Sequence, residues 1–181
     1  DTPTFSYTFK KTKNGEKKEG IKGRGNTTWY DMPKKGYNIK FDKQQSLFGI
    51  PASKKWCILA NYDDKTLLRN KFSSVLGKEI FNSEWNPYSY SVDVVWNGEF
   101  RGNYTLSEKN TIEDSRIDIQ DISDYGSAAF TDQNGDGVIN LYDGGFILEI
   151  DERLDAPYWF FTSKEKTPVT LKETDEVSRD I

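Results

Sequence analysis

The sequence contains no histidine and only one cysteine, Cys57, among its 181 residues. Without histidine there can be no Ser-His-Asp or Cys-His triad, and no zinc site that needs an imidazole ligand. A single cysteine cannot form an intrachain disulfide bond or a cysteine-based metal site. The longest apolar stretches, at 56–60 and 144–150, are far shorter than the roughly 20 residues of a membrane-spanning helix. No membrane span is therefore predicted in this segment.

Charge is unevenly distributed along the chain, although the net charge is only −4. Residues 1–80 contain 17 Lys and Arg against 8 Asp and Glu, which is +9, whereas residues 113–155 contain 2 against 12, which is −10. The basic half could hold phosphate and the acidic half a divalent cation. The alternative is that the two kinds of charge only solvate opposite faces. Nucleic-acid binding is not expected, because the acidic region would repel phosphate.

Apolar patterning predicts an α+β fold with a mostly antiparallel sheet. Residues 37–43 alternate between apolar and polar, and residues 54–62 form the nearly continuous apolar run of a buried strand. Asn97-Gly98, between two strand-like runs, predicts a β-hairpin. Two further strands are predicted, a buried one at 144–151 and a short one at 167–173.

A long helix is predicted over about residues 64–82. Asp63 or Asp64 would cap its start, and its apolar positions recur at three- and four-residue spacing: Leu67, Leu68, Phe72, Val75, Leu76 and Ile80. No repeat or linker interrupts the chain, so residues 1–181 are predicted to form one domain. We expect that domain to continue beyond Ile181, because residues 172–180 have the composition of a helix start.

Five sequence blocks occur in a fixed order and carry a family resemblance. They are IKGRGNTTW at 21–29, KKGYNIKFDKQQSLFGIP at 34–51, KKWCILANYDDKTLLRNKF at 54–72, WNGEFRGNYTLSEK at 96–109 and GGFILEIDER at 144–153. Together they closely resemble the CotH family of atypical protein kinases, named for a spore-coat protein, over most of residues 20–175. The resemblance implies a kinase-like fold and an ATP- and Mg²⁺-dependent transfer of phosphate to Ser or Thr of a protein.

Phosphoryl transfer needs a cradle for the triphosphate and cations against its charge. Gly23 and Gly25 flank Arg24, so the backbone could approach a phosphate while the guanidinium binds its oxygens. Lys40 lies mid-strand on the polar side of residues 37–43. The resemblance makes it the lysine that contacts the α- and β-phosphates, whereas the ordinary alternative is a solvated strand lysine.

Two further residues are candidates for cofactor binding. Arg69 falls among the apolar positions of the predicted helix and should point partly inward, where it needs an anionic partner. That partner would be the nucleotide or, more commonly, a carboxylate in a structural salt bridge. Glu108 ends the second strand of the predicted hairpin. The resemblance places it where a kinase-like fold joins its two lobes and reads the adenine.

Asp151 is the leading candidate for a Mg²⁺ ligand. It closes the apolar strand FILEID, and a carboxylate there with no cation nearby would be costly, whereas Mg²⁺ would justify it. The resemblance places the family's metal-binding aspartate in this strand, with Glu149 as the rival on the same face. A second metal-binding acid is expected in the family, and nothing after Lys172 clearly supplies it.

Residues 132–143 predict a calcium loop without any kinase argument. DQNGDGVINLYD fits the twelve-residue loop of oxygen ligands, which would be Asp132, Asn134, Asp136, the carbonyl of Val138, Asn140 and Asp143. The version with Asp at the last position resembles the loops of dockerins. It occurs once and leads through Gly144-Gly145 into a strand, so we interpret it as an insertion rather than a dockerin module. The alternative is a polar surface turn.

The sequence thus predicts a CotH-type kinase that uses ATP, Mg²⁺ and Ca²⁺. Its partner would be a protein substrate on the cell surface or in an extracellular assembly. Loops of modest ligand charge suit millimolar calcium outside the cell, so an extracellular or cell-surface location is expected. Two alternatives stay open: a non-catalytic, calcium-binding surface module with a kinase-like fold, and a transferase that moves another group of the nucleotide, such as AMP.

Overall fold

The computed structural model describes residues 3–10, 19–119, 147–154 and 159–172. The chain divides into two compact units, Asp1–Asn110 and Thr111–Ile181. That residues 1–181 act as one domain stays a prediction. Among the described residues, no helix is both long and apolar enough to cross a membrane.

The first unit is built on a five-stranded antiparallel sheet with strand order β1-β2-β3-β5-β4. A short helix follows the first strand and a longer one follows the third. In chain order the elements are β1 (Gly20–Arg24), α1 (Thr27–Tyr30), β2 (Gly36–Gln45), β3 (Ser53–Leu59), α2 (Arg69–Glu79), β4 (Ser89–Trp96) and β5 (Glu99–Glu108). The mostly antiparallel sheet is confirmed.

The core of this unit covers one face of the sheet. Phe41, on the apolar side of β2, is buried, and Tyr37 and Ile39 pack against the same cluster, as the alternation predicts. The predicted buried strand at 54–62 is confirmed in β3. The buried members of the core are Phe41, Leu47, Ile50, Trp56, Ile58, Ala60, Tyr104 and Leu106. Tyr7 and Phe9, which precede the sheet in the chain, also pack on it.

The hairpin between β4 and β5 is also confirmed. Asn97 and Gly98 are its two central residues, with φ of 51° and 83°. Positive φ at both positions is what a two-residue hairpin turn of type I′ requires, and Asn followed by Gly adopts it at least cost. The turn pairs Trp96 with Glu99, and an irregularity between Val94 and Val95 then shifts the register of the remaining pairs.

Helix α2 is shorter than predicted. It covers Arg69–Glu79 rather than 64–82. Leu67 has φ 57° and Asn82 has φ 52°, and a left-handed residue cannot continue a right-handed helix. The apolar spacing includes Leu67, Leu68 and Ile80, which lie outside the helix, and this is why it predicts too many turns.

The apolar residues of α2 do not form the buried face that their spacing predicts. Leu68, Phe72, Val75 and Ile80 are exposed, while Leu67 and Leu76 are only half-buried. Ser74 donates a hydrogen bond to the carbonyl oxygen of Pro87 and so links the helix to the segment before β4. The buried core lies on the face of the sheet that carries Phe41 and Trp56, and these helix residues are not part of it.

The second unit contains a three-stranded antiparallel sheet of order β6-β8-β7, with β6 at Ile147–Ile150, β7 at Trp159–Phe161 and β8 at Pro168–Lys172. A strand within 144–151 and one within 167–173 are therefore confirmed. The predicted burial of the first is wrong for its described part, since Leu148 is 56% and Ile150 is 75% exposed. The reason is position: β6 is an edge strand, whereas Val169 and Thr170 of the central strand β8 are buried.

Candidate functional site

A basic surface lies on the face of β1–β3 that points away from the core. Side chains alternate along a strand, so Lys22 and Arg24 of β1 share this face with Asn38 and Lys40 of β2. Lys22 pairs with Asn38, and Lys40 pairs with Gly20 on one side and with Lys55 of β3 on the other. Three adjacent strands thus place four cationic side chains on one surface. We call Lys22, Arg24, Asn38, Lys40 and Lys55 the basic face.

Two of the predicted phosphate contacts, Arg24 and Lys40, belong to this face. Arg24 lies opposite Gly36, four residues from Lys40 along β2, so their backbones are on the order of 13 Å apart at about 3.3 Å per residue. Asn38 lies between them, and its Oδ1 accepts a hydrogen bond from Arg24 Nη1 at 3.3 Å. Lys40 is exposed and Arg24 half-buried. Two long cationic side chains can therefore converge on one anion above Asn38.

Asn38 is a residue of the basic face that the sequence analysis does not single out. The signal is present in the alternation, because residues 38 and 40 point to the same side of β2. Its amide holds Arg24 by the side-chain oxygen, which leaves the N–H groups of the amide directed elsewhere. Asn38 thus orients the guanidinium without neutralising its charge.

Gly23 and Gly25 shape the turn after β1. Gly25 has φ 111°, a backbone conformation that favours glycine, and a Cβ there would collide with the hydroxyl of Thr28. A Cβ on Gly23 would lie 2.6 Å from Cη2 and 2.7 Å from Cζ2 and Cζ3 of Trp29. The prediction was that these glycines admit a phosphate. At Gly23 the vacant space is taken by the indole ring of Trp29.

Arg69 does not point inward as predicted. Its side chain is 78% exposed, and its Nε lies 3.6 Å from Oδ1 of Asp64. The helix begins at Arg69, so its side chain leaves the first turn toward the preceding loop. Arg69 thus forms a salt bridge with the carboxylate of Asp64, which was the alternative to nucleotide binding. Any contact of Arg69 with a nucleotide stays a prediction.

Glu108 is the last residue of β5 and lies two residues before the boundary between the two units. It is buried, and its Oε2 accepts a hydrogen bond from the backbone N–H of Tyr88 at 2.8 Å. The backbone N–H of Glu108 in turn donates to the carbonyl oxygen of Tyr88 at 3.3 Å. Its carboxylate therefore fastens the start of β4 to the end of β5. A role in reading adenine is not tested by this geometry.

Asp151 and Glu149 lie at the end of β6 and on it, and each has a basic partner. Asp151 accepts hydrogen bonds from Nη2 of Arg153 at 2.6 Å and from the backbone N–H of Arg153 at 3.1 Å. Glu149 Oε2 lies 2.6 Å from Nζ of Lys172. The cation that a carboxylate at this position needs is provided by Arg153. Ion pairing removes the energetic argument for a metal but not the oxygen donors that Mg²⁺ prefers.

The Arg153 side chain, which donates to the carboxylate, is the first cause of a lowered pKa for Asp151. The second cause is the hydrogen bond from the backbone N–H of Arg153. The Asp151 side chain is only 14% exposed. Asp151 therefore stays negatively charged at neutral pH, which is the form that a metal ion or a guanidinium binds.

The predicted calcium loop lies outside the described residues. This applies to Asp132, Asn134, Asp136, Val138, Asn140 and Asp143. Within the part of the chain that the structure does describe, no three acidic or cysteine side chains come together as a metal-binding group. Arg24 and Lys40 belong to the first unit, while Asp151 and Glu149 belong to the second.

The family model described as CotH kinase protein matches residues 21–176. The chain belongs to the CotH kinase family. No curated protein and no solved structure matches the chain. The matched segment contains the whole basic face and β6 with Asp151, so a kinase-like function is assigned to the region that holds both sets of candidate residues.

The basic face has side chains of the kind that a kinase uses to bind phosphate. Phosphoryl transfer depends on cations and hydrogen-bond donors placed against the charge of the phosphates. Arg24, held by Asn38, and the exposed Lys40 are cationic donors of this kind, and their contact with a phosphate stays a prediction. In the second unit, Asp151 and Glu149 carry carboxylate oxygens, each paired with a basic side chain.

Proposed function

We propose that this CotH kinase binds ATP on the basic face of β1–β3 and transfers its γ-phosphoryl group to a Ser or Thr hydroxyl of a protein. The kinase-like fold is part of the proposal. The single observation that supports it most is that Arg24 and Lys40 lie on the same face of adjacent strands, with Asn38 between them and hydrogen-bonded to Arg24.

In this proposal the protein contributes mainly position and charge. Arg24 can bind phosphate oxygens with two parallel N–H groups, because its guanidinium is planar. Lys40 adds a compact positive charge from the neighbouring strand. The substrate hydroxyl would attack the γ-phosphorus in line, and the bond from phosphorus to the bridging oxygen of ADP would break. Cations fixed beforehand favour the transition state, since they need no reorganisation.

The proposed Mg²⁺ ion would be held at Asp151, with Glu149 as the rival ligand. When bound, it would neutralise phosphate charge and orient the phosphate oxygens. Both carboxylates have the right donor chemistry, and Asp151 would have to exchange Arg153 for the ion. Magnesium dependence should therefore be sensitive to Arg153 as well as to Asp151.

One feature departs from conventional kinases. In those enzymes a lysine on the third strand forms an ion pair with a glutamate of the following helix. Here Lys40 is on β2, and the one carboxylate in α2, Glu79, is the last residue of the helix and is exposed. We therefore infer that Lys40 is oriented by the strands of the sheet and not by a glutamate in the middle of α2.

Two alternatives predict different products. A transferase of AMP would use the same basic face and leave a different group on the target. A non-catalytic module is favoured by one observation, the pairing of Asp151 and Glu149 with Arg153 and Lys172. We also propose an extracellular or cell-surface location, with calcium bound at residues 132–143. The proposed location and the proposed calcium site both rest on the sequence alone.

Mass spectrometry of the modified target distinguishes these possibilities. The protein is incubated with Mg-ATP and a mixture of candidate surface proteins, together with variants Lys40→Ala and Lys43→Ala. Lys43 is the matched control, because it is also an exposed lysine of β2. The proposal predicts added phosphate with the parent and with Lys43→Ala, and little with Lys40→Ala. Added AMP would identify the transferase alternative. No modification together with no ATP binding would identify the non-catalytic one.

A further inference from the structure

We propose that Trp29 is a positioning residue for Arg24: its indole ring packs on the backbone of β1 at Gly23 and holds the strand so that Arg24 faces the nucleotide. The proposal rests on the proposed function, because it concerns the same phosphate contact. Trp29 lies outside the basic face and would act only through the strand that carries Arg24.

The contact between Trp29 and Gly23 is close. Three atoms of the indole ring lie 2.6 to 2.7 Å from where a Cβ of Gly23 would be, a distance at which a side chain could not fit without displacing the ring. The turn at Gly25, with φ 111°, reverses the chain so that α1 can bring Trp29 back against β1. The segment GRGNTTW therefore folds onto itself, with the ring of its last residue on the backbone of its first.

The ring is itself held from other sides. Its centroid lies 5.7 Å from that of Tyr37 in an edge-to-face arrangement, and Tyr37 contacts Trp96 in the same manner at 4.9 Å. Such aromatic pairs are favourable beyond the area that they bury. The amine of Lys35 lies 5.9 Å from the Trp29 ring centroid and donates hydrogen bonds to the carbonyl oxygens of Trp29 and Tyr30. Lys35 thus caps the end of α1 and keeps Trp29 in place.

Strand alternation converts this contact into a position for Arg24. Gly23 pairs with Tyr37, whose side chain packs against the core, whereas Arg24 is the next residue and points to the opposite face. β1 is also an edge strand, with hydrogen bonds to β2 on one side. A ring packed behind Gly23 therefore limits the twist and tilt of an otherwise weakly supported strand. Without it, the guanidinium of Arg24 would spread over more orientations.

The test is a double-mutant cycle read as ATP affinity. Titration calorimetry with Mg-ATP compares the parent, Trp29→Ala, Arg24→Ala and the double variant. Arg24→Ala should weaken binding by about tenfold or more, the effect of one charge-assisted hydrogen bond. Trp29→Ala should weaken binding severalfold in the parent and have almost no further effect in the Arg24→Ala background. Trp29→Phe, which retains a ring, should restore most of the affinity, and Tyr30→Ala is the control because Tyr30 is 75% exposed on the same helix.

A thermal arm tests the packing itself and does not depend on nucleotide. Gly23→Ala should lower the melting temperature of the parent, because its Cβ enters the Trp29 ring. In the Trp29→Ala background, Gly23→Ala should lower the melting temperature much less, since the space beside Gly23 is then vacant. If Gly23→Ala lowers the melting temperature equally in the parent and in Trp29→Ala, the proposed packing of Trp29 on Gly23 is contradicted. This arm also covers the case in which Trp29→Ala alone is too unstable for calorimetry, since Gly23→Ala should then reproduce its weaker ATP binding.

The two proposals fail in different ways. If Arg24→Ala binds ATP like the parent, the phosphate contact of the proposed function is wrong, and the positioning role is overturned with it. If Arg24→Ala binds weakly but Trp29→Ala weakens binding equally in both backgrounds, the proposed function survives and the positioning role alone is overturned. Non-additive weakening with rescue by Trp29→Phe supports both.

Discussion

Asp64 accepts a hydrogen bond at 2.8 Å from the backbone N–H of Arg69, the residue at which helix α2 begins. The same carboxylate accepts hydrogen bonds from the backbone N–H of Thr66 at 3.0 Å and from its hydroxyl at 2.5 Å. A helix start leaves backbone N–H groups without partners inside the helix. Asp64 therefore acts as the cap of α2 from five residues upstream, across the left-handed Leu67.

Acid should weaken this cap. The hydroxyl of Thr66 and then the N–H of Arg69 hold the pKa of Asp64 below its ordinary value. A carboxyl with a depressed folded pKa stabilises the protein above its unfolded pKa of about 3.9, and that contribution is lost as pH falls through the folded pKa. Asp64→Asn should melt a few degrees lower than the parent at neutral pH. It should also lose less stability than the parent on acidification below pH about 4.

Melting temperatures measured between neutral pH and pH about 3 check this prediction. Asp63→Asn is the matched control, since Asp63 is the exposed neighbour in the same loop. An Asp64→Asn variant with the acid dependence of the parent would show that the carboxylate does not contribute through its charge.

Asp151 and Arg153 should have opposite effects on magnesium. Asp151→Asn is expected to remove most Mg²⁺-dependent ATP binding and phosphate transfer. Arg153→Ala should raise the affinity for Mg²⁺, because it frees the carboxylate of a partner at 2.6 Å. Calorimetric titration with Mg²⁺ in the presence of ATP measures both. Circular dichroism establishes that each variant is folded, and Glu152→Gln is the control because Glu152 is the exposed residue between them.

The outcome that would contradict this prediction concerns Glu149, the rival ligand. If Asp151→Asn retains the magnesium dependence of the parent while Glu149→Gln loses it, Glu149 is the ligand. If both variants keep the magnesium dependence of the parent, neither residue is a metal ligand. That result would favour the non-catalytic alternative.

Calcium should raise the melting temperature through residues 132–143. Asp132, Asp136 and Asp143 place three negative charges in one short segment, and an ion that binds only the folded form stabilises it by mass action. Titration calorimetry should show binding to the parent. Asp132→Ala should weaken that binding sharply, because the first position of such a loop is a direct ligand. No heat and no thermal shift at millimolar calcium would reduce DQNGDGVINLYD to a polar turn.

Strands β2 to β5 of the first unit were predictable because their signals are local, whereas β1 was not predicted as a strand. Alternation in β2, the continuous apolar run of β3 and Asn97-Gly98 each describe a segment that the sheet uses unchanged. Helix α2 was predictable in type but not in length. Apolar spacing does not report the left-handed backbone at Leu67, and it does not reveal that the buried core forms without the residues of this helix.

The face of β2 on which the candidate residues lie was predictable, but the contacts of the candidate side chains were not. Alternation places Asn38 and Lys40 on one face of β2, while the binding of phosphate by Arg24 and Lys40 stays a prediction. The partners of Asp151 and Arg69 could not be predicted, because Arg153 and Asp64 are chosen by side-chain geometry at the end of a strand and at the start of a helix. Trp29, which is the last residue of the block IKGRGNTTW, was assigned no role from the sequence. Its contact with Gly23 depends on a turn that must be seen in three dimensions.

The most direct test of the basic face is the affinity of Mg-ATP for four proteins, measured by titration calorimetry. They are the parent, Arg24→Ala, Lys40→Ala and Lys43→Ala. Each of the first two variants removes a cation from the proposed phosphate site, so each should weaken binding by about tenfold or more. Lys43→Ala removes an exposed lysine of the same strand and should bind like the parent. Equal affinity in all four proteins, or no binding of ATP by the parent, would contradict the assignment of this face to the nucleotide.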